Sequence, residues 1–243
     1  MARRVLPRTP ISVERAGVTM QLRNAILDPI ELEREENILL DRWAADLPGL
    51  IRDGLPCAQA YCAAPVRIML LLKEVNGGEN WDLRRFLRDG GRPQTWNVAA
   101  RWVHGILNIE TEFHWSTLAE CNEERRKEML PRMCAVNVKK TSGKHTANQR
   151  DIDRAVELYQ DNLRAQIGLY QPDIVICGGT AGQYVRIMHR ERQIEWRMTS
   201  RGIWYFIEDS GTVVIDYSHP EARTKDCLLH YGLIDAVREI LSK

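Results

Sequence analysis

The sequence predicts an α/β protein with a three-layer α/β/α fold around a central, mostly parallel sheet. Three apolar runs of strand length support this class: VRIMLLLKE (66–74), RMCAVNV (132–138) and DIVICGG (173–179). Continuous apolar runs are typical of parallel strands that are buried on both faces. Segments with helical spacing separate the runs, so the order along the chain is β-α-β-α-β. Sheets of this kind bind ligands at the carboxyl ends of their strands.

The remaining elements follow from periodicity and from turn residues. Helical spacing covers 21–47 with an interruption near Pro29, and Pro172 closes a long helix before the third strand. The other predicted elements are helices at 96–108, 116–130, 151–170, about 180–189 and 226–242, and strands at 202–208 and 212–216. We expect residues 1–20 to form a weakly ordered N-terminal arm and residues 21–243 to form a single domain.

Composition excludes several classes of protein. The chain has 243 residues and 44% hydrophobic content, which suffices for one substantial core. Its 34 Lys+Arg and 33 Asp+Glu leave a net charge of +1, so any nucleic-acid binding must come from a local basic patch. Its six Cys lack the spacing of a disulfide scaffold, and Cys57-x4-Cys62 lacks the second pair of a zinc site. We expect a cytoplasmic protein, a monomer, with no metal, no cofactor and no membrane partner.

Polar residues collect where the predicted strands end. The four strand ends carry Asn76-Gly77-Gly78, Asn137 to Lys140, Gly178-Gly179 and Ser218-His219-Pro220. Parallel strands bring their carboxyl ends to one edge, so these groups are expected to converge. Taken alone, each residue has another interpretation. Asn76 is a common residue before a glycine turn, Asn137 is expected to be satisfied by backbone, and a loop His such as His219 is commonly solvated.

Together the strand ends resemble the motifs of the uracil-DNA glycosylase superfamily. Glu74-Val75-Asn76-Gly77-Gly78 resembles the first motif of the mismatch-specific branch, G-I-N-P-G, and Ser218-His219-Pro220-Glu221 resembles the closing H-P-S motif. Ala135 to Lys139 resembles the strand that reads the base, and Leu163 to Gly178 resembles the helix and strand that follow it. The likeness extends over about residues 66–223. It implies a uracil-DNA glycosylase-like fold and hydrolysis of an N-glycosidic bond in DNA.

The resemblance implies roles for the residues around the base. Asn76 would hold the attacking water, and His219 would donate a hydrogen bond to the departing base. Asn137 would read the pyrimidine edge through its amide, and Gly77 and Gly78 would line the base pocket. Because an Asn is no general base at neutral pH, slow turnover is expected.

Base flipping implies contacts with the rest of the DNA, which is single- or double-stranded. Trp81 is the candidate platform for the flipped base, with core packing as an equally weighted alternative. Lys139, Lys140 and Lys144 are expected to contact phosphates, although lysines in a loop are usually only solvated. Arg223 follows the closing motif and is expected to fill the space that the base leaves.

The chain also departs from the motifs of the superfamily. Glu74 stands in place of the leading Gly, Gly77 in place of Pro, and Glu221 in place of the closing Ser. Thr141 and Tyr159 lie near two positions that the iron-sulfur branch fills with Cys, so no cluster is expected. Two other functions stay open: a catalytically silent nucleic-acid-binding domain of the same fold, and a small-molecule enzyme suggested by GGTAG at 178–182. Repair and defence against phages with modified bases are both compatible with a glycosylase.

The residue at position 78, a glycine, is the basis for a prediction about which base is excised. The uracil-specific branch has a Tyr here that blocks substituents on carbon 5, whereas Gly78 has no side chain to do so. We expect the chain to accept pyrimidines substituted on carbon 5. Gly78→Tyr should lower excision of such bases at least about tenfold relative to uracil, because the added ring would block the space that a carbon-5 substituent needs. Duplexes carrying different bases, cut with alkali at abasic sites, measure this. A wild type that excises only uracil would contradict the prediction.

Overall fold

The central sheet has six strands, the first four in its order parallel. The computed structural model describes residues 27–75, 81–143, 147–190 and 192–242, so the predicted arm lies outside the described residues. The strands are β1 (Ile68–Glu74), β2 (Met133–Lys139), β3 (Ile174–Gly178), β4 (Arg197–Met198), β5 (Trp204–Ile207) and β6 (Val213–Tyr217). Their order in the sheet is β2-β1-β3-β6-β5-β4, with β5 antiparallel to both β6 and β4. The predicted α/β class with a mostly parallel sheet is therefore confirmed.

Helices cover both faces of this sheet. They are α1 (Pro29–Asp46), α2 (Ala58–Ala63), α3 (Leu83–Arg88), α4 (Pro93–Leu107), α5 (Trp115–Ala119), α6 (Glu123–Met129), α7 (Gln149–Tyr170), α8 (Ala181–His189) and α9 (Asp226–Leu241). Among the described residues, no helix combines the length and the apolarity that a membrane crossing requires.

Short elements account for the differences from the predicted pattern. The segment 116–130 is two helices rather than one, because the Asn122 side chain accepts the Arg125 backbone N–H at 2.9 Å and begins α6 as its N-cap. The sequence pattern also missed α2, α3 and β4, which have six, six and two residues. Segments this short contain too few residues to show a period.

The two faces of the sheet bury separate apolar clusters. Ile68, Leu70 and Leu72 pack on the side of α4 and α9, whereas Met69 and Leu71 pack on the side of α1 and α7. Successive side chains of a strand point to opposite faces, so β1 must be apolar throughout to be buried on both. This is the physical reason for the continuous apolar runs in the sequence.

A buried ion pair closes the amino-terminal edge of the sheet. The Arg67 guanidinium donates to both carboxylate oxygens of Asp173, from Nη2 to Oδ1 at 3.0 Å and from Nε to Oδ2 at 3.2 Å. The Arg67 backbone N–H also donates to Asp173 Oδ2 at 2.8 Å. Arg67 precedes β1 and Asp173 precedes β3, so this fork sets the register of two neighbouring strands.

An edge segment (51–54) extends the sheet beyond β2. Gly54 and Ala135 exchange backbone hydrogen bonds at 2.8 and 2.9 Å, and the Ile51 N–H donates to the Lys140 carbonyl at 2.6 Å. The segment covers the free edge of β2 and brings Asp53 against it. Gly54 has a φ of +125°, which side chains rarely adopt.

Gly54→Ala should destabilise the fold. A Cβ there would lie 2.1 Å from the Tyr170 hydroxyl and 2.3 Å from Glu36 Oε1. We expect a loss of at least about 2 kcal/mol from strain and overpacking. The control is Gly168→Ala in α7, where a Cβ meets nothing within 4 Å and should instead stabilise the helix by roughly 0.5–1 kcal/mol. Urea unfolding measures both, and changes of the same sign would contradict this account.

Candidate functional site

The carboxyl ends of four parallel strands meet at one edge of the sheet. Asn137 on β2 pairs in register with Leu72 on β1, so the two side chains share a face. A Cβ on Gly178 of β3 would lie 2.7 Å from Leu72 Cδ2 and 3.6 Å from the His219 Cα. Leu72 and Gly178 therefore lie between Asn137 and His219 across the sheet. Because β1 lies between β2 and β3, this edge is the point where the crossovers diverge, the usual ligand position in such sheets.

Part of the predicted site lies outside the described residues. This holds for Asn76, Gly77, Gly78 and Lys144, whose roles stay predictions.

His219 is held as a neutral imidazole, and among the described residues only its Nδ1 has a hydrogen-bond partner. Its Nδ1 accepts the backbone N–H of Glu221 at 3.0 Å, so the proton of the neutral ring lies on Nε2. Burial lowers the pKa of His219; the nearby charge of Glu221 opposes this shift, and that of Lys73 adds to it. The site therefore offers an Nε2–H donor at neutral pH.

Glu221 ties the His219 loop to the start of α4. Its carboxylate oxygen Oε1 accepts the Thr95 hydroxyl at 2.5 Å and Arg92 Nη2 at 3.3 Å. The sequence shows Glu221 only as the residue that stands in place of the Ser of the H-P-S motif. In the structure, its backbone orients the imidazole and its side chain anchors the loop. Arg223, two residues later, is exposed.

Asn137 is 1% exposed and only partly satisfied. Its backbone N–H and its Nδ2 both donate to Asp53 Oδ2, at 2.7 and 3.2 Å. Within the described part of the chain, its Oδ1 is buried without a hydrogen-bond partner. The interpretation that Asn137 is simply satisfied by its surroundings therefore holds for its amide nitrogen and not for its amide oxygen. A buried acceptor without a partner is uncommon and points to a missing donor.

Lys140 is not a phosphate contact, and this prediction was wrong. Its side chain is fully buried, and Nζ donates to Asp53 Oδ1 at 2.5 Å and to Gln166 Oε1 at 2.7 Å. Burial lowers the pKa of Lys140, and the charge of Asp53 opposes that shift. Adjacent side chains at a strand end point in opposite directions, so Lys139 and Lys140 could not both face solvent on one side.

Lys139 is partly exposed but already has a counter-charge. Its Nζ lies 2.6 Å from Glu74 Oε2 and donates to the Ser142 carbonyl at 3.1 Å. Glu74 is its register partner on β1, which gives a role to the residue that replaces the motif's leading Gly. Lys73 is a different case: it is partly buried beside Gly179, and no ion pair is recorded for it among the described residues.

Trp81 packs against the core in this structure. Its ring centroid lies 4.7 Å from that of Phe86, tilted by 57°, and its carbonyl accepts the Arg52 N–H at 3.3 Å. The contact with Arg52 places Trp81 beside the edge segment (51–54). The packing alternative thus describes the observed ring contact, and a stacking role with a flipped base stays a prediction.

The motifs in the sequence did not predict the polar residues that are buried behind Asn137. These are Asp53, Gln166, Tyr170 and Glu36, which hydrogen-bond one another in the interior. A signal existed for Gln166, because it lies in the stretch from Leu163 to Gly178 that resembles the helix and strand of the superfamily, whose pattern begins L-x-x-Q. Asp53 stands in no motif, and its contact with Asn137 joins positions 84 residues apart.

A separate cavity of about 440 Å³ lies between α4, α9 and the loop 109–114. His230, Tyr231 and Phe113 are among its lining residues, and none of the predicted site residues lines it.

No protein-family model matches the chain, and no significant match is found among curated proteins. The residues at the strand ends are therefore the evidence on function that the chain provides.

Lys140→Ala and Lys139→Ala should differ in stability although the two lysines are adjacent. Losing Lys140 leaves the Asp53 carboxylate buried without its counter-charge, which should cost about 3 kcal/mol or more. Losing Lys139 breaks a pair whose side chains are 18% and 7% exposed, and we expect a smaller cost of about 1–2 kcal/mol. Urea unfolding of both variants is the measurement. Equal losses would show that Lys140 is not the buried partner described here.

Proposed function

We propose that the chain is a monofunctional DNA glycosylase with a uracil-DNA glycosylase-like fold. It would flip a pyrimidine out of DNA and hydrolyse its N-glycosidic bond, leaving an abasic site. One observation carries the proposal: His219 offers a neutral Nε2–H at the same strand edge as the unsatisfied Oδ1 of Asn137. The order of the matching motifs along the chain supports the same assignment.

The chemistry requires a donor of the kind that His219 supplies. Breaking an N-glycosidic bond leaves negative charge on the base, so a fixed donor near the base oxygen stabilises the transition state more than the ground state. The lowered pKa of His219 keeps the ring neutral. Asn76 would orient the water, and the rate would depend on the leaving ability of the base, since an amide cannot remove a proton.

DNA binding would use fewer lysines than the sequence suggests. Lys140 is internal, and the charge of Lys139 is matched by Glu74. Arg223 and Lys73 remain as cations near the strand ends, together with the predicted contact of Lys144. Arg223 is exposed next to the His219 loop, where it could enter the stack as the base leaves.

A catalytically silent nucleic-acid-binding domain is the second candidate. The observation that favours it is that neither Asn137 nor His219 can act as a general base. The His219 Nδ1 is occupied by the Glu221 N–H, and its Nε2 carries the proton in the neutral ring. A domain of this kind would bind a flipped base without breaking its bond.

The proposed substrate class follows from the sequence, because Gly78 has no side chain. We propose thymine in a mismatch, oxidised or hydroxymethylated pyrimidines, or the bulky modified cytosines of phage DNA. The first two would serve DNA repair and the last antiviral defence.

His219→Ala should lower single-turnover excision by about 100-fold, the scale of losing one positioned donor in a transition state. The loss should be larger for poor leaving groups than for good ones, because the departing anion needs the donor more. Alkali cleavage of a duplex panel measures the rates, and His114→Ala, at an exposed histidine, is the control.

A loss that is equal for all bases would assign His219 to loop structure instead. Binding of the duplexes by the wild type without strand breaks would support the silent domain and contradict the glycosylase.

A further inference from the structure

The Asp53 carboxylate accepts four hydrogen bonds, two at each oxygen. Oδ2 accepts the backbone N–H and the Nδ2 of Asn137, and Oδ1 accepts Lys140 Nζ and Gln166 Nε2, the last at 3.0 Å. The carboxylate cannot rotate without breaking bonds on both sides. Its orientation beside Asn137 is therefore set by groups that lie outside the site.

A second layer of hydrogen bonds holds these groups. Gln166 Nε2 also donates to the Tyr170 hydroxyl at 3.0 Å, and this hydroxyl donates to Glu36 Oε1 at 2.7 Å. Glu36 in turn accepts the Leu55 N–H at 2.8 Å and pairs with Arg84 at 2.8 Å. The network joins α1, α7, β2 and the edge segment (51–54).

The carboxylate determines which way the Asn137 amide faces. An ionised carboxylate only accepts hydrogen bonds, so Asn137 must present Nδ2 to Asp53 and Oδ1 away from it. The buried Oδ1 is then an acceptor whose partner is missing. Because this oxygen is buried, a ligand that supplies an N–H to it must displace the atoms that cover it, and it then gains a hydrogen bond to an acceptor that Asp53 already orients.

We propose that Asp53 is a positioning residue that makes Asn137 an acceptor for the flipped base, a role that rests on the proposed function. The substrate would be a pyrimidine with an N–H donor on its pairing edge. The N3–H of a thymine-type imide and the exocyclic amine of a cytosine-type base both qualify. A pyrimidine without either donor would leave Oδ1 unsatisfied and would be rejected.

Binding to DNA that cannot be cleaved tests this without relying on catalysis. The probes are duplexes with a 2′-fluoroarabino nucleotide opposite an abasic-site analogue, bearing thymine, 5-methylcytosine or 5-methylpyrimidin-2-one. The last base lacks both donors and adds no bulk. For the wild type we expect at least about tenfold weaker binding of the pyrimidinone than of the better of the other two bases. That preferred base identifies which donor Asn137 reads.

Asp53→Asn should reduce this discrimination towards a ratio of one. In this variant the side chain at position 53 has a single oxygen, whereas Asn137 and Lys140 each need an acceptor there. The new amide nitrogen can therefore face Asn137, and the Asn137 Oδ1 can turn towards it. The matched control is Glu36→Gln, which also replaces a buried carboxylate by an amide in the same network. The side-chain hydrogen bonds from Glu36 reach the Asp53 carboxylate through Tyr170 and Gln166, and Glu36 makes no hydrogen bond to Asn137, so this variant should keep the wild-type ratio.

The outcomes separate this inference from the proposed function. Equal binding of all three bases by the wild type overturns the role of Asp53, even if cleavable duplexes are cut. Discrimination in binding without any strand breaks supports Asp53 and contradicts the glycosylase. If Asp53→Asn does not fold, a crystal structure of the wild type with its preferred duplex decides: an Asn137 Oδ1 bonded to a base N–H supports the proposal, and an Oδ1 turned to Asp53 overturns it.

Discussion

The buried Asp53 carboxylate is the group on which the site and the surrounding fold both depend. A charge with essentially no exposure is tolerated only when donors satisfy it, and here the donors come from β2, from the residue after β2 and from α7. Asp53 itself lies on the edge segment that covers β2. The same four bonds therefore fix the edge of the sheet, bury Lys140 and orient Asn137.

The fold could be predicted well where burial determines the sequence. Strands β1, β2 and β3 must be apolar on both faces, and this need is visible in every residue of Ile174–Gly178. Elements set by tertiary contacts were not visible in the sequence. The short helix α3 begins where the backbone of Leu83 meets that of Arg52, and a strand of two residues such as β4 exists only through its pairing with β5.

The sequence indicates which residues lie at the strand ends, but not the directions in which their side chains point. The motifs placed Asn137 and His219 at strand ends, and the parallel sheet brings those ends together. They could not say that Lys140 points inward, because its counter-charge Asp53 stands in a different part of the chain and in no motif. Nor could they say which end of the Asn137 amide is free. That depends on a carboxylate whose position is known only once the chain is folded.

The two edges of the sheet differ in how their buried polar groups are satisfied, and this difference indicates a ligand. At the amino-terminal edge, Arg67 and Asp173 satisfy each other through a fork of hydrogen bonds. At the carboxyl edge, the Oδ1 of Asn137 has no partner within the described chain, a deficit of about 1–3 kcal/mol. In the described ranges two other buried atoms share this condition, Trp43 Nε1 and His230 Nδ1, but neither residue lies at a strand end. Among the three, only Asn137 lies at the edge where α/β sheets bind ligands, and the Nε2–H of His219 lies at the same edge. A ligand donor at that edge would remove the deficit, and this is a physical reason for the chain to bury an Asn there.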